Sequence, residues 1–202
     1  MLRSTNCVMV PASRPDLASP LVAGRHVDEV LTTLSDIDTA KIFSVLGSPN
    51  LLKFLDAHPL GRVEFSGRIS EPDLNGEYDP RTRAIIVNPD RRRDTYGQTL
   101  QDGQAVTVSS LGPDLTDAMS RSLFHELGHH VEHCAGPFII DAVVAAGRQR
   151  LLYPFTRRAR LNPLEYFAES FAAYQFENDA FYHKDPVGYT VVEDILRRAG
   201  LL

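Results

Sequence analysis

Two histidines and a glutamate at residues 125–129, in the sequence His-Glu-Leu-Gly-His, have the types and spacing of a metal-assisted hydrolytic site. On a helix, residues four apart lie on one face, so the imidazoles of His125 and His129 would point at one Zn²⁺. The carboxylate of Glu126 would lie close enough to a water at that metal to act as a general base. The pattern is short, so its meaning depends on a helix to carry it and on a third ligand.

The same helix offers no convincing third ligand. The extended pattern H-E-x-x-H-x-x-G-x-x-H fails because Glu132 and Ala135 occupy the positions that need glycine and histidine. His133 continues the i, i+4 series from His129, but three histidines, one per turn of a straight helix, do not converge on one tetrahedral metal. His130 points to another face of the helix. None of these side chains is favoured as a ligand.

A second segment, residues 162–174, carries two carboxylates at helical spacing. Pro163 suits the first position of a helix, and Glu165 and Glu169 lie one turn apart on one face. Their neighbours are mostly apolar or aromatic, where carboxylates are costly unless they are paired or bind a metal. A solvated pair of charges is the alternative interpretation. The His-Glu-x-x-His pattern in the same chain favours metal binding by this segment.

Together, His-Glu-Leu-Gly-His at 125–129 and Glu-Tyr-Phe-Ala-Glu-Ser-Phe at 165–171 resemble the zinc metallopeptidases of the gluzincin type. The likeness extends to the catalytic domain of anthrax lethal factor and related bacterial and phage-borne domains, and its motifs span about residues 120–176. The resemblance implies an α+β, zincin-like fold. In such a fold a small, mostly antiparallel sheet packs on the His-Glu-x-x-His helix, and the C-terminal half is helical.

The resemblance also implies a role for each residue of the two motifs. His125, His129 and Glu165 would be the zinc ligands, since in this group a glutamate on a following helix completes the site. Glu126 would be the general base for peptide-bond hydrolysis. Glu169 would accept a hydrogen bond from a ligating histidine and so select its tautomer.

Two further parts of the site are implied less directly. The lethal factor domain has a tyrosine shortly before its third ligand, and the equivalent position here is Arg158. Arg158 itself is one candidate for the group that stabilises the oxyanion. Tyr153, which is near but not aligned, and His183, which is expected in a loop near the C-terminal helix, are the others. A strand near residues 83–88 would form the edge of the cleft, where a peptide substrate could add antiparallel.

The elements that must position these residues are indicated by apolar spacing and by turn residues. Helical spacing is present at residues 27–34, 37–46, 50–57 and 187–199. Strands are predicted at residues 62–66, 77–88 and 104–109. The second of these regions is expected to form two strands that are joined by a turn at Asp79-Pro80.

The His-Glu-x-x-His helix has its own start and stop signals. It is predicted to begin after Gly112-Pro113, with Asp114 or Thr116 as N-cap, and to end at Gly136-Pro137. The motif then lies in the middle of the helix. Gly128 costs about 1 kcal/mol of helix propensity relative to alanine, but a small residue there would let another segment approach the metal.

Length and composition favour one soluble globular domain, with 202 residues of which 43% are hydrophobic and 23% charged. We expect residues 1–24, rich in proline and serine near their end, to be a flexible leader and residues 25–202 to be a single domain. A formal net charge of −5 gives no basis for nucleic acid binding. The two cysteines, Cys7 and Cys134, are too few for a disulfide framework.

The N-terminus lacks the apolar stretch of a secretory signal, and no apolar run reaches transmembrane length. We therefore expect no membrane insertion, and either a cytoplasmic location or export without a cleaved signal. The oligomeric state stays open.

The expected function is that of a zinc-dependent metallopeptidase acting on a peptide or protein substrate. One alternative is a non-catalytic zincin-like module for binding or structure, although such a module does not need the carboxylate of Glu126. Another is a toxin or effector protease with a narrow protein target, which general peptidase assays would score as inactive.

Overall fold

The computed structural model describes residue 45 and residues 48–65, 75–88, 98–101, 104–107, 118–149, 152–154, 156, 158–176 and 178–202. Several predictions lie outside these residues. They are the leader at 1–24, the helix at 27–34, nearly all of the helix at 37–46, and the N-cap at Asp114 or Thr116.

The first half of the described chain holds one helix and all the described strands. Helix α1 (Pro49–Ala57) precedes the strands β1 (Arg62–Phe65), β2 (Gly76–Asp79), β3 (Ala84–Val87), β4 (Gln98–Gln101) and β5 (Gln104–Thr107). The second half is helical, with α2 (Ala118–Ala135), α3 (Phe138–Arg148), a 3-10 turn (Arg158–Arg160), α4 (Pro163–Phe176), α5 (Asn178–Lys184) and α6 (Pro186–Arg198). The described chain is therefore mixed α+β and mostly helical.

Strand β3 lies in the middle of a three-stranded sheet of order β1-β3-β2. It pairs in parallel with β1 and antiparallel with β2, and Ile85 lies opposite both Val63 and Tyr78. Strands β4 and β5 form a separate antiparallel pair. The small three-stranded sheet is therefore mixed, with one parallel and one antiparallel pairing, whereas a mostly antiparallel sheet was predicted.

The predicted turn between β2 and β3 is confirmed. One carboxylate oxygen of Asp79 accepts the backbone N–H of Arg81 at 2.9 Å, and the other accepts the hydroxyl of Thr82 at 2.7 Å. Aspartate commonly closes a turn in this way, by bonding to the chain two residues further on. The turn returns the chain to the buried strand β3, whose Ile85 and Val87 are fully buried.

Helix α2 runs through the middle of the molecule and is buried from Arg121 to Gly128. It ends where predicted, since Gly136 adopts a φ of +104°, which favours glycine. Helix α4 begins at Pro163, as predicted, and crosses α2 at Gly128. A Cβ on Gly128 would lie 2.9 Å from Cα of Ala168, so the small residue permits this close approach.

The core forms where α2, α4 and the sheet meet. Its largest fully buried side chains are Phe124, Leu127, Phe167, Phe171, Leu55, Ile85, Ile139, Ile195 and Leu196. They come from α2, α4, α1, β3, α3 and α6, so these six elements contribute to one core. Burial of large apolar side chains of this kind contributes most of the stability of a domain.

A buried aspartate joins the C-terminal helices to α4. Asp185 is the N-cap of α6, where it accepts the N–H of Gly188 at 2.8 Å. It also accepts the hydroxyl of Tyr166 at 2.6 Å and the backbone N–H of Tyr153 at 3.1 Å. Asp185 therefore holds together α4, α6 and the segment that precedes the 3-10 turn.

The C-terminal helix predicted at residues 187–199 is confirmed as α6. Helix α3, by contrast, was not predicted. Among the described residues, no helix has both the length and the apolar character needed to cross a membrane.

Candidate metal centre

The histidines of the His-Glu-x-x-His pattern lie one turn apart on α2 and face each other. Their Nε2 atoms are 3.2 Å apart. Both side chains are largely buried, and that of His125 is only 1% exposed. Burial and the neighbouring His125 lower the pKa of His129 to about 4, so His129 is neutral at pH 7.

Helix α4 brings Glu165 to the same point. The side chain of Asn162 caps the helix by accepting the backbone N–H of Glu165 at 2.9 Å. The Oε2 atom of Glu165 lies 3.2 Å from Nε2 of His125, and its Oε1 atom lies 3.7 Å from Nε2 of His129. The two helices thus place three donor atoms around a single point.

The geometry of this group fits a metal ion. Two ligands bound tetrahedrally at about 2.0–2.1 Å from one ion lie about 3.3 Å apart, which is close to the 3.2 Å between the Nε2 atoms of the two histidines. The three donor atoms lie within 4.8 Å of one another. Oε2 of Glu165 is buried, with Nε2 of His125 at 3.2 Å and Nε of Arg158 at 3.3 Å as its polar neighbours. His125, His129 and Glu165 therefore form a group that is compatible with a divalent metal, whose identity the donors alone do not decide.

A second carboxylate orients the first histidine from behind. The Oε1 atom of Glu169 lies 2.8 Å from Nδ1 of His125, which favours a proton on Nδ1 and leaves Nε2 available as a donor to a metal. On its other side Glu169 accepts a bond from Arg121 at 3.4 Å. Burial opposes ionisation of Glu169, but Arg121, His125 and Thr156 outweigh it and hold its pKa at about 2.

The carboxylate of Glu126 is buried against strand β2. A Cβ on Gly76 would lie 2.8 Å from Oε1 of Glu126, so the strand backbone rests directly against this carboxylate. Burial raises the pKa of Glu126 to about 7, while His125 and Arg158 oppose the shift. A carboxylate with such a pKa exchanges protons readily near neutral pH.

An open cleft of about 360 Å³ runs over this site. Glu126, His129 and Glu165 line it, and Gly76 and Tyr78 of strand β2 form one of its walls. The cleft thus brings the candidate base and two of the three candidate ligands into reach of one bound molecule.

The cleft edge was predicted on the wrong strand. Residues 84–87 form β3, which pairs with a neighbour on both sides and therefore has no open edge. The cleft is bordered by β2, which pairs with β3 alone among the described strands. The apolar run in β3 is typical of a buried central strand, whereas the more polar β2 is suited to an edge.

The structure distinguishes among the three candidates for oxyanion stabilisation, because only one of them lines the cleft. Arg158 lines the cleft, with Nε 3.3 Å from Oε2 of Glu165. Tyr153 is about half exposed, is tied through its backbone to Asp185, and does not line the cleft. His183 was predicted in a loop, which is wrong: it lies in helix α5, and it does not line the cleft either.

The two other histidines of α2 stay outside the candidate metal group, as expected. His133 is exposed at the cleft rim. His130 is buried, and its Nε2 lies 2.8 Å from the carbonyl oxygen of His58. A carbonyl only accepts, so Nε2 carries the proton and Nδ1 accepts the hydroxyl of Tyr78 at 3.1 Å.

Three residues of the site were not predicted. Arg121 was recoverable in principle, because it lies one turn before His125 and an arginine within a buried helical stripe needs an anionic partner. Gly76 and Tyr78 left no such signal, since their importance depends on which strand lies against α2.

No family model matches the chain, and no curated protein matches it either.

Proposed function

We propose that this protein is a zinc-dependent metallopeptidase with a zincin-like fold. One observation carries the proposal: a buried carboxylate, Glu126, lies in a cleft directly beside the donor group of His125, His129 and Glu165. A metal-binding group alone would serve structure equally well. An additional carboxylate beside that group, in a cleft that is open to a ligand, is the arrangement that metal-assisted hydrolysis uses.

The donor set favours zinc over other common metals. Two imidazoles and one carboxylate, with a fourth position open towards a cleft, are the ligands of many catalytic zinc sites. Calcium and magnesium prefer oxygen ligands throughout, which two histidines do not supply. The orientation of His125 by Glu169 is also the support that zinc-bound histidines usually receive.

The chemistry divides between the metal and the side chains of this chain. When bound, zinc acidifies a water and polarises a carbonyl group. Glu126 accepts the proton that water loses as its oxygen attacks the scissile carbonyl carbon. As the C–N bond breaks, Glu126 passes that proton to the departing amine nitrogen, so the peptide bond and the water are consumed and a carboxylic acid and an amine are formed.

Arg158 is the group best placed to stabilise the negative charge that develops on the carbonyl oxygen. It lines the cleft, and its guanidinium is held beside Glu165 at 3.3 Å. A fixed cation at this position would interact more strongly with the transition state than with the neutral substrate. Strand β2, at the cleft edge, would pair with the backbone of a peptide or protein substrate.

A comparison of the wild type with Glu126→Gln on a proteome extract tests the proposal. Both proteins are loaded with zinc, their zinc content is measured, and new peptide N-termini are identified by mass spectrometry. Removal of a general base is expected to lower the rate roughly 10²–10⁴-fold, so the fragments should disappear in Glu126→Gln while zinc stays bound. Glu193→Gln is the matched control, because Glu193 lies on α6 and pairs only with the exposed Arg197 in the described structure.

The outcomes separate the proposal from its alternatives. Fragments that form with the wild type and Glu193→Gln, but not with Glu126→Gln, support a peptidase. A short set of fragments from one or two proteins would indicate an effector with a narrow target. Identical fragments from all three proteins, or none from any of them with zinc bound, would leave a non-catalytic binding module as the better interpretation.

A further inference from the structure

Strand β2 and helix α2 run side by side with matching repeats. Gly76 lies against Glu126, and Tyr78 bonds to His130. Two residues along a strand advance about 6.8 Å, and four residues along a helix advance about 6.0 Å. The two contacts therefore repeat with nearly the same spacing, and a shift of the strand at one contact moves it at the other.

The contact at Gly76 leaves no spare room. An added Cβ would lie 2.8 Å from Oε1 and 2.9 Å from Cγ of Glu126, well inside van der Waals contact. The backbone of β2 thus forms the surface against which the carboxylate of Glu126 lies. A displacement of the strand by even 1 Å would change where this carboxylate points.

The contact at Tyr78 supplies the tie that holds the strand at this distance. The ring of His130 spans from the hydroxyl of Tyr78, at 3.1 Å from Nδ1, to the carbonyl oxygen of His58, at 2.8 Å from Nε2. His58 follows the end of α1, so the imidazole joins three elements of the fold. Since His130 is buried, loss of the bond to Tyr78 would leave Nδ1 with only the weak sulfur contact of Cys134 at 3.8 Å. An unsatisfied buried polar atom costs about 1–3 kcal/mol.

We propose that Tyr78 and His130 are positioning residues. Their hydrogen bond holds strand β2 at the distance from helix α2 at which the backbone of Gly76 confines the carboxylate of Glu126. The inference rests on the proposed function, because it assigns the pair a role in that reaction. Neither side chain belongs to the donor group for the metal. Their effect on the reaction would pass through the strand to Glu126.

The variant Tyr78→Phe tests this inference, since it removes one hydroxyl and preserves the aromatic ring. A misplacement of a catalytic group by about 1 Å can cost 10²-fold in rate, so we expect kcat of the zinc-loaded variant to fall roughly 10- to 100-fold. Zinc content should stay at the wild-type value, because neither side chain belongs to the donor group for the metal. Hydrogen exchange at residues 76–79 should become faster, because the strand has lost its tie to α2.

Tyr189→Phe is the matched control, because it removes a tyrosine hydroxyl that donates to Asn178 at 3.1 Å, at the contact between α5 and α6. It should lower the stability and leave kcat and the exchange of β2 unchanged. A second pair of variants addresses a folding failure of Tyr78→Phe. His130→Gln retains one acceptor and one donor and should preserve more of kcat than His130→Leu, which retains neither.

Each result bears on the inference separately from the proposed function. A folded, zinc-loaded Tyr78→Phe with wild-type kcat would overturn it, as would equal kcat values in His130→Gln and His130→Leu. If the wild type itself cleaves nothing, the proposed function fails. In that case faster exchange at residues 76–79 in Tyr78→Phe alone would still support the tie between strand and helix, and unchanged exchange would refute it.

Discussion

The close approach of α2 and α4 at Gly128 can be tested by adding one methyl group to this residue, in the variant Gly128→Ala. In Gly128→Ala the new Cβ would lie 2.9 Å from Cα of Ala168 and 3.3 Å from Cβ of Phe171. The nearer contact is with backbone, which cannot turn aside as a flexible side chain can. The helices must therefore separate by a few tenths of an ångström or more.

Two opposing effects determine the change in stability. Alanine gains about 1 kcal/mol over glycine within a helix, whereas overpacking of a core costs about 1–3 kcal/mol. Gly147→Ala on α3 is the comparison without overpacking, because the new Cβ meets nothing nearer than Cδ1 of Leu152 at 4.0 Å; Gly147 lies in the last turn of its helix, so its gain in propensity is smaller. We therefore expect Gly128→Ala to be less stable than Gly147→Ala by about 1–3 kcal/mol.

The same displacement should weaken metal binding. Ala168 lies between Glu165 and Glu169 on α4, so both carboxylates move with it when α4 is pushed from α2. Metal–ligand distances tolerate a deviation of only about 0.2 Å. We expect the zinc affinity of Gly128→Ala to fall, and that of Gly147→Ala to equal the wild-type value.

The assay is urea unfolding at one fixed free zinc concentration, because a bound metal adds to the stability of the folded state. Zinc affinity is measured separately by competition with a chelator. The reasoning would be refuted if Gly128→Ala matched Gly147→Ala in stability and retained the wild-type zinc affinity. Such a result would mean that α2 and α4 do not approach each other as closely as described.

Two further predictions concern the candidate metal group. Glu169→Gln should weaken zinc binding by about 10–100-fold, because it removes the charge that orients His125. Competition with a chelator measures the zinc affinity. An unchanged affinity would contradict the role of Glu169. In the metal-free protein, burial lowers the pKa of His125, but Glu165 and Glu169 outweigh it and raise that pKa to about 9. His125 is then protonated at pH 7, so zinc must displace about one proton, and the zinc affinity should rise about tenfold per pH unit up to pH 9. Calorimetry in buffers of different ionisation enthalpy measures the released proton. Equal heats in all buffers would argue against a proton release.

The elements that carry the candidate site follow from local patterns. Helix α2 ends at Gly136 because the chain there adopts a backbone conformation that glycine favours, and helix α4 begins at Pro163 because proline suits a first helical position. The turn at Asp79 likewise depends only on the residues that follow it. Such signals are read within a few residues, and each of these three predictions is confirmed.

Other elements depend on surroundings that lie far away in sequence. Helix α3 contains an apolar run of β-branched residues and alanines, and such a run suits a buried strand as well as a helix. Strand β3 was expected at the cleft edge, yet its place in the centre follows from pairing with β1 and β2 on either side. The order of strands in a sheet is a property of the whole fold, and the apolar run of β3 indicates burial without naming its neighbours.

By itself, the sequence determined the spacing of His125, Glu126 and His129 on one helix and of Glu165 and Glu169 on another, because the helical repeat is a local property of the chain. Only the tertiary structure decided that the two helices cross at Gly128 and bring Nε2 of His125 within 3.2 Å of Glu165. It alone also placed the backbone of strand β2 against Glu126. These contacts join segments about forty or more residues apart in the sequence, and the packing of side chains in the core, rather than any local preference of the backbone, determines their distances.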